Sequence, residues 1–159
     1  EGLLDAAFVR LPCESSKAFN LKIIASETMR IVLPASHALN QQSTLSLAHL
    51  VDTPMITFPR ELAPSLYESI ISACLRSGFQ PKTGPQSPQI SSAISMVAAG
   101  FGFAVGPASL SCINFPGVTF HHCDDPALTT DIALAWRKWD RSASVLHLVQ
   151  TLDTHRRAG

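Results

Sequence analysis

The chain has 159 residues, of which 46% are hydrophobic and 15% are charged, so the sequence predicts a packed core and excludes intrinsic disorder. The 12 basic residues balance the 12 acidic ones, which argues against nucleic-acid binding by this chain alone. No apolar run approaches the roughly 20 residues of a membrane-spanning helix. The four cysteines (Cys13, Cys74, Cys112 and Cys123) lack C-x-x-C spacing, which favours reduced thiols in a cytoplasmic protein over disulfides.

The first predicted element is a short buried strand over Leu3–Val9, and Arg10 directly follows it. Open α/β sheets bind ligands at the carboxyl ends of their strands, and a guanidinium matches a carboxylate in geometry. Arg10 is therefore a candidate carboxylate ligand, and an ordinary surface arginine is the equally weighted alternative. Because the chain opens on this strand and has no signal peptide, we expect it to be a fragment of a longer protein.

The next predicted elements are two strand segments, Leu21–Ala25 and Met29–Leu33, on either side of Glu27. A short helical turn is predicted over Ser46–Val51, and Met55–Phe58 is typical of a short buried strand. These segments alternate between extended and helical patterns.

A first full helix is predicted to begin at Pro64–Ser65, after a loop over residues 60–63. Ser65 and Glu68 have the spacing of a capping box, and Gly78 stands where a helix ends. The segment that follows, Lys82–Gln86, is predicted to be extended.

A second full helix is predicted from Ser87 as N-cap and Pro88 as its first residue, with Gly100 after its end. Its apolar stripe comprises Ile90, Ala93, Ile94, Val97 and Ala98. A buried strand is predicted over Phe103–Gly106. The start of this helix offers free backbone N–H groups and the positive end of the helix dipole, which suit an anion.

Two further strands, Val118–His121 and Ile132–Trp136, and an amphipathic C-terminal helix complete the prediction. Alternation of strands and helices predicts an α/β fold with helices on the faces of a sheet.

Motifs for catalysis or for a cofactor are not found. The run His121–Asp125 holds five possible metal ligands, but neighbours on a strand point to opposite faces, so we expect no metal site. Gly100–Gly106 differs from a dinucleotide-binding fingerprint in its third glycine and in its place after a helix. We therefore expect no catalytic residue and no cofactor, and a small hydrolase or isomerase using Cys or His remains an alternative.

Five blocks of the sequence resemble the effector-binding domain of LysR-type transcriptional regulators. They are Gly2–Arg10, Ile31–Leu39, Pro54–Phe58, Met96–Ser109 and Ile132–Arg137, in the order and spacing of that family. The blocks are most similar to the branch that responds to benzoate, muconate and related metabolites of aromatic catabolism.

The resemblance implies a two-lobed, periplasmic-binding-protein-like α/β fold with mixed sheets flanked by helices. Residues 1–35 and 122–159 would form a first lobe, incomplete because an earlier strand and helix are missing, and residues 36–121 a second. The effector, expected to be a small carboxylate, would lie in the interlobe cleft. The implied effector-binding residues are Arg10, Pro64, Ser65, Leu66, Pro88, Gln89 and Ile90.

The resemblance also implies the partners of the whole regulator. It would form homo-oligomers, dimers or tetramers, in the cytoplasm and bind DNA only through an N-terminal helix-turn-helix domain that is absent here. A periplasmic solute-binding receptor shares the two-lobed architecture and is the second interpretation.

Overall fold

The computed structural model describes residues 4–13, 16–139 and 142–157. The chain divides into two compact units: unit 1 comprises residues 1–26 and 130–159, and unit 2 comprises residues 27–129. The lobe boundaries that the resemblance implies, after residues 35 and 121, stay a prediction.

The described elements are strands and α-helices, and the two alternate in chain order between residues 55 and 107. The strands are β1 (Ala6–Leu11), β2 (Phe19–Pro34), β3 (Thr44–Leu45), β4 (Met55–Thr57), β5 (Thr83–Gln86), β6 (Phe103–Pro107), β7 (Val118–Cys123) and β8 (Thr129–Arg137). The α-helices are α1 (Pro64–Arg76), α2 (Ile90–Ala98) and α3 (Ala143–Arg157). This alternation confirms the predicted α/β class.

Unit 2 is built on a mixed sheet in the strand order β5-β4-β6-β2-β7-β3. β4 runs parallel to both β5 and β6, whereas β2 runs antiparallel to β6 and β7. The parallel strands are linked by α1 and α2, which is the βαβ arrangement predicted from the sequence.

The two helices of unit 2 cover opposite faces of its sheet, because successive residues of a strand point to opposite sides. Ile31 and Leu33 of β2 belong to the larger core cluster, together with Ile70 and Cys74 of α1. Val32, between them, belongs to a second cluster with residues of α2. The two cores therefore fix which face each helix covers.

In unit 1, β8 is antiparallel to β1, with Phe8 opposite Leu134, and lies between β1 and β2 in the strand order. Ala133 and Leu134 are fully or almost fully buried, and α3 contributes the buried Val145. The strand predicted over Leu3–Val9 is wrong in its bounds: β1 continues to Leu11, so Arg10 lies inside it, opposite Ile132, and does not follow its end. The strand is also not buried, since Phe8 is 60% exposed. Residues 1–3 lie outside the described ones.

Both helices of unit 2 end as the sequence predicts. Gly78 and Gly100 have φ of 89° and 84°, a left-handed conformation that glycine adopts without steric cost. The Gly78 N–H donates to the Leu75 carbonyl and the Phe79 N–H to the Cys74 carbonyl, the paired hydrogen bonds of a Schellman motif. α2 ends in the same way, with Gly100 donating to Val97.

Three further local predictions were wrong. Leu21–Ala25 and Met29–Leu33 are parts of one strand of 16 residues, because Glu27 is half-buried with its Oε2 accepting a hydrogen bond from the Ser109 N–H at 2.7 Å. The predicted capping box at Ser65 is absent: Ala63 is the N-cap of α1 and Glu68 pairs with Arg60.

The third correction concerns the start of α2. Gln89 is its N-cap, so Ser87 and Pro88 precede the helix. The Ser87 hydroxyl bonds the backbone of Gln89 instead, donating to its carbonyl at 3.0 Å and accepting from its N–H at 3.3 Å. A serine can satisfy either a turn or a helix end, and here it forms the turn.

Candidate functional site

A pocket with a volume of about 220 Å³ opens in unit 2, next to the starts of both α1 and α2. β4 and the residue after it supply Met55, Ile56, Thr57 and Phe58 to its wall. The segment around the start of α1 supplies Leu62, Ala63, Leu66, Tyr67 and Ile70. The segment from Ser87 to β6 supplies Ser87, Pro88, Ile90, Ala93, Ala104 and Val105.

The lining of the pocket is apolar with a few polar groups. Among the lining residues that the structure describes, none carries a charged side chain, and Thr57, Tyr67 and Ser87 bear the hydroxyl groups. Such a composition is typical of small-molecule sites, in which apolar walls hold the body of a ligand and a few polar groups orient it.

The start of α1 leaves backbone donors next to the pocket. Ala63, the N-cap, has no side chain that could bond them, and the first intrahelical bond runs from the Tyr67 N–H to the Ala63 carbonyl. The N–H groups of Ser65 and Leu66 therefore have no intrahelical acceptor, and Pro64 has no N–H. This helix end can donate two hydrogen bonds to an acceptor.

The start of α2 is similar. Gln89, its N-cap, makes no side-chain cap hydrogen bond, and the first intrahelical bond runs from the Ala93 N–H to the Gln89 carbonyl. The first three N–H groups of the helix, beginning with Ile90, have no intrahelical acceptor. Ser87, which is 5% exposed, joins this helix start to β4 because its N–H donates to the Thr57 carbonyl at 2.9 Å.

The structure brings together part of the predicted site. Leu66, Pro88 and Ile90 line the pocket, whereas Pro64, Ser65 and Gln89 lie at the same helix starts without lining it. Arg10 is on β1 in unit 1, and its assignment to the effector stays a prediction.

Sequence reasoning missed the aromatic part of the pocket. The rings of Phe58 and Tyr67 meet edge to face, with centroids 6.1 Å apart and planes at 81°. Such a pair holds both rings in place. Tyr67 and Ile70 fall on the apolar stripe of α1, a pattern that does not distinguish a pocket wall from a closed core.

Of the three charged residues close to the start of α1, two neutralise each other, and the third, Glu61, is exposed. Arg60 and Glu68 form an ion pair of 2.6 Å, in which the side chains are 64% and 51% exposed. Ion pairs with this exposure contribute little to stability.

Within the histidine and acid run from residue 121 to 125, the His121 side chain serves the fold. His121 is buried, with Nδ1 2.7 Å from the Gln42 carbonyl and Nε2 2.9 Å from the Thr119 hydroxyl. His122 is exposed on the other face of β7. In the part of the chain that the structure describes, no three metal-ligating side chains converge.

The buried cysteine of α1 is poorly suited to nucleophilic chemistry. Burial, with a smaller contribution from Cys123, raises the pKa of the Cys74 thiol to about 11. Burial also raises the pKa of Cys123. Thiols with raised pKa are protonated at neutral pH and react slowly.

Within the described residues, no helix has both the length and the apolar composition to cross a membrane.

The chain belongs to the LysR substrate binding domain family, whose sequence model matches residues 1–157. It is 54% identical over 150 residues to the HTH-type transcriptional regulator BudR of Raoultella terrigena, which covers 94% of this chain and 52% of that protein. The chain spans about half the length of the curated relatives it matches.

Solved structures show the same fold. The effector-binding domain of BenM with its effector benzoate superimposes with a TM-score of 0.79, at 25% identity over 98% of this chain and 70% of that one. BenM of Acinetobacter baylyi is itself 27% identical over 96% of this chain and 50% of its own length. The fold is therefore that of LysR effector-binding domains.

Proposed function

We propose that this chain is the ligand-sensing domain of a bacterial LysR-type transcriptional regulator and that a small carboxylate is its effector. The observation that carries the proposal is the apolar pocket of unit 2 beside two helix starts whose side chains provide no cap. The relatives, all transcriptional regulators by name, support a regulator over a transport receptor or an enzyme.

The pocket would hold the body of the effector. Phe58, Leu66 and Ile70 offer apolar surface, and the hydroxyl groups of Tyr67 and Ser87 offer hydrogen bonds. A carboxylate at the helix starts would accept from the backbone N–H groups of Ser65, Leu66 and Ile90 and interact with both helix dipoles. Arg10 is proposed as its charged partner, since a guanidinium binds a carboxylate bidentately.

The likeness to BenM, whose structure contains its effector benzoate, supports an aromatic acid. The higher identity to BudR does not favour the aromatic-catabolism branch of the family. We propose that binding alters the population of states of the domain and that homo-oligomer contacts pass the change to DNA-binding domains outside this chain, in the cytoplasm.

Isothermal titration calorimetry with matched acids and amides tests the proposal. We expect benzoate or acetate to bind the 159-residue chain and benzamide or acetamide to bind at least about tenfold more weakly, because the amides lack the charge. Equal affinity for acid and amide would overturn the carboxylate class.

Two variants separate the parts of the site. Leu66→Trp fills the pocket and should abolish binding. Arg10→Ala should lower the affinity for acids and leave the affinity for amides unchanged. Lys17→Ala, at an exposed position in unit 1, is the matched control for lost charge. Unchanged binding by Leu66→Trp would exclude the pocket, and unchanged acid affinity in Arg10→Ala would exclude Arg10.

A further inference from the structure

Arg30 lies in a polar row that crosses four strands of the unit 2 sheet. It is directly opposite Gly106 of β6 on one side and His122 of β7 on the other. His122 is in turn paired with Thr44 of β3. Residues that face each other across strands have Cβ atoms about 5 Å apart and point to the same face of the sheet. The guanidinium, the imidazole and the hydroxyl are therefore neighbours in one row.

In the part of the chain that the structure describes, no ion pair joins the guanidinium of Arg30 to a carboxylate. Its Nε is buried and has no hydrogen-bond partner among the residues that the structure describes. Within the same residues, the ion pairs found involve other cations. A cation whose inner nitrogen is withdrawn from water without an acceptor is poorly solvated, so an anion at its outer nitrogens gains a strong interaction.

The surroundings of the row favour an anion that comes from solution. Arg30 is half-buried and His122 is exposed, so the outer end of the row is accessible. At the inner end, a Cβ on Gly106 would lie 2.8 Å from Leu110 Cδ1, which shows that an apolar side chain closes the row there. An ionic hydrogen bond beside an apolar wall is less screened than one in water.

A carboxylate close in sequence does not neutralise this row. Asp124 follows the last residue of β7 and is exposed, and no ion pair joins it to Arg30 in the described part of the chain. The row therefore keeps a net positive character when His122 is protonated and when it is neutral.

We propose that Arg30 and His122 form a second site in unit 2, which binds a small oxyanion such as a carboxylate or inorganic phosphate. Arg30 provides the charge and the principal hydrogen bonds, and His122 provides a further donor. Neither residue lines the pocket, so this site is separate from the one proposed for the effector. The proposal does not depend on the function assigned to the pocket.

The test is a titration of the 159-residue chain with inorganic phosphate and, separately, with acetate, followed by NMR of backbone amides in β2 and β7. Preference for one anion identifies the source that the site favours. Arg30→Gln should lower the affinity for the anion about tenfold or more, and His122→Asn should lower it about threefold. Lys17→Gln and His49→Asn, at exposed positions, are the matched controls and should change nothing.

Three results would overturn the proposal. One is the absence of shifts in β2 and β7 at anion concentrations on the order of 10 mM, which would leave no useful affinity. Another is equal affinity in the two variants and their controls. The third is loss of these shifts in Leu66→Trp but not in Arg30→Gln. If Arg30→Gln does not fold, His122→Asn at its exposed position and Arg30→Lys, which keeps the charge, carry the same test.

Discussion

Asn40 and Thr119 are joined by a hydrogen bond of 2.7 Å from the threonine hydroxyl to the amide oxygen, although 79 residues separate them. The Asn40 amide nitrogen also donates to the carbonyls of Pro34 at 2.9 Å and Ala35 at 2.7 Å. One side chain thus connects the end of β2, the segment after it and β7, and it lies beside the buried His121.

Asn40→Ala should therefore destabilise the chain. Its removal takes away the hydrogen bonds with the Pro34 and Ala35 carbonyls and with the Thr119 hydroxyl. Each net hydrogen bond is worth about 1 kcal/mol, so a loss of about 2–3 kcal/mol in the free energy of unfolding is expected. Urea denaturation followed by circular dichroism measures it. Gln41→Ala, at the exposed neighbouring position, is the control, and equal losses in both variants would contradict the prediction.

Gly78→Ala should cost about 1 kcal/mol in the free energy of unfolding. At φ of 89° an alanine side chain is strained, although no atom of the protein lies within 4 Å of the added Cβ. Because the space is open, the cost is conformational, and Gly78→Asn should recover part of it. Thermal and urea unfolding of the three proteins compare them, and an alanine variant as stable as the parent would be inconsistent with this account.

Alkaline pH should weaken the fold through Cys74. The folded chain raises the pKa of this thiol from 9.0 to about 11, so between these values the unfolded chain has released a proton that the folded chain still holds. Stability then falls as pH rises from about 9 to 11, by up to about 2–3 kcal/mol. Urea unfolding at pH 8, 9 and 10 tests the slope.

Cys74→Ala is the control for this pH dependence. The variant should be less stable at neutral pH, because it leaves a small cavity in the core, but its stability should fall less steeply above pH 9. An unchanged slope would assign the alkaline loss to other groups.

Asp125→Ala should lower stability by about 1–2 kcal/mol, partly in a salt-dependent way. Asp125 Oδ2 accepts from two nitrogens of Arg76, at 2.6 and 3.1 Å, and its Oδ1 accepts from the Ala127 N–H. The aspartate side chain is only 12% exposed, so this pair is less screened than a surface pair. Asp52→Ala, which removes an exposed pair with Lys82, should cost clearly less, because solvent screens that pair.

A double variant separates the contribution of the ion pair from that of the hydrogen bond between Asp125 and the Ala127 N–H. Arg76→Ala combined with Asp125→Ala should cost less than the sum of the single variants, since each removes the same bond. Additive losses would show that the pair itself contributes nothing.

The sequence predicted the elements whose signals are local. Proline is suited to the first position of a helix, and α1 begins at Pro64. Glycine is suited to the residue after a helix end, and α1 and α2 end just before Gly78 and Gly100. Ser87 was misplaced because its hydroxyl can bond a turn or a helix end, and the choice depends on β4, whose carbonyl at Thr57 holds it.

The pocket was only partly predictable for a related reason. The family resemblance placed Leu66, Pro88 and Ile90 at a ligand site, and all three line the pocket. Phe58 and Tyr67 carry the same apolar pattern as residues of the closed core, and only the three-dimensional packing shows that a gap remains beside them.

The helices α1 and α2 differ sharply between their two termini. Each terminal glycine closes the carbonyl end with a pair of hydrogen bonds, while no side chain does the same for the opposite end. A ligand whose oxygen atoms accept hydrogen bonds from those amides would act as an N-cap, as the side chain of a serine or aspartate does in other helices. When such a molecule occupies the site, the first turns of both helices should open less often. Slower hydrogen exchange at the amides of Leu66 and Ile90 would therefore report a bound molecule even where its contacts are few.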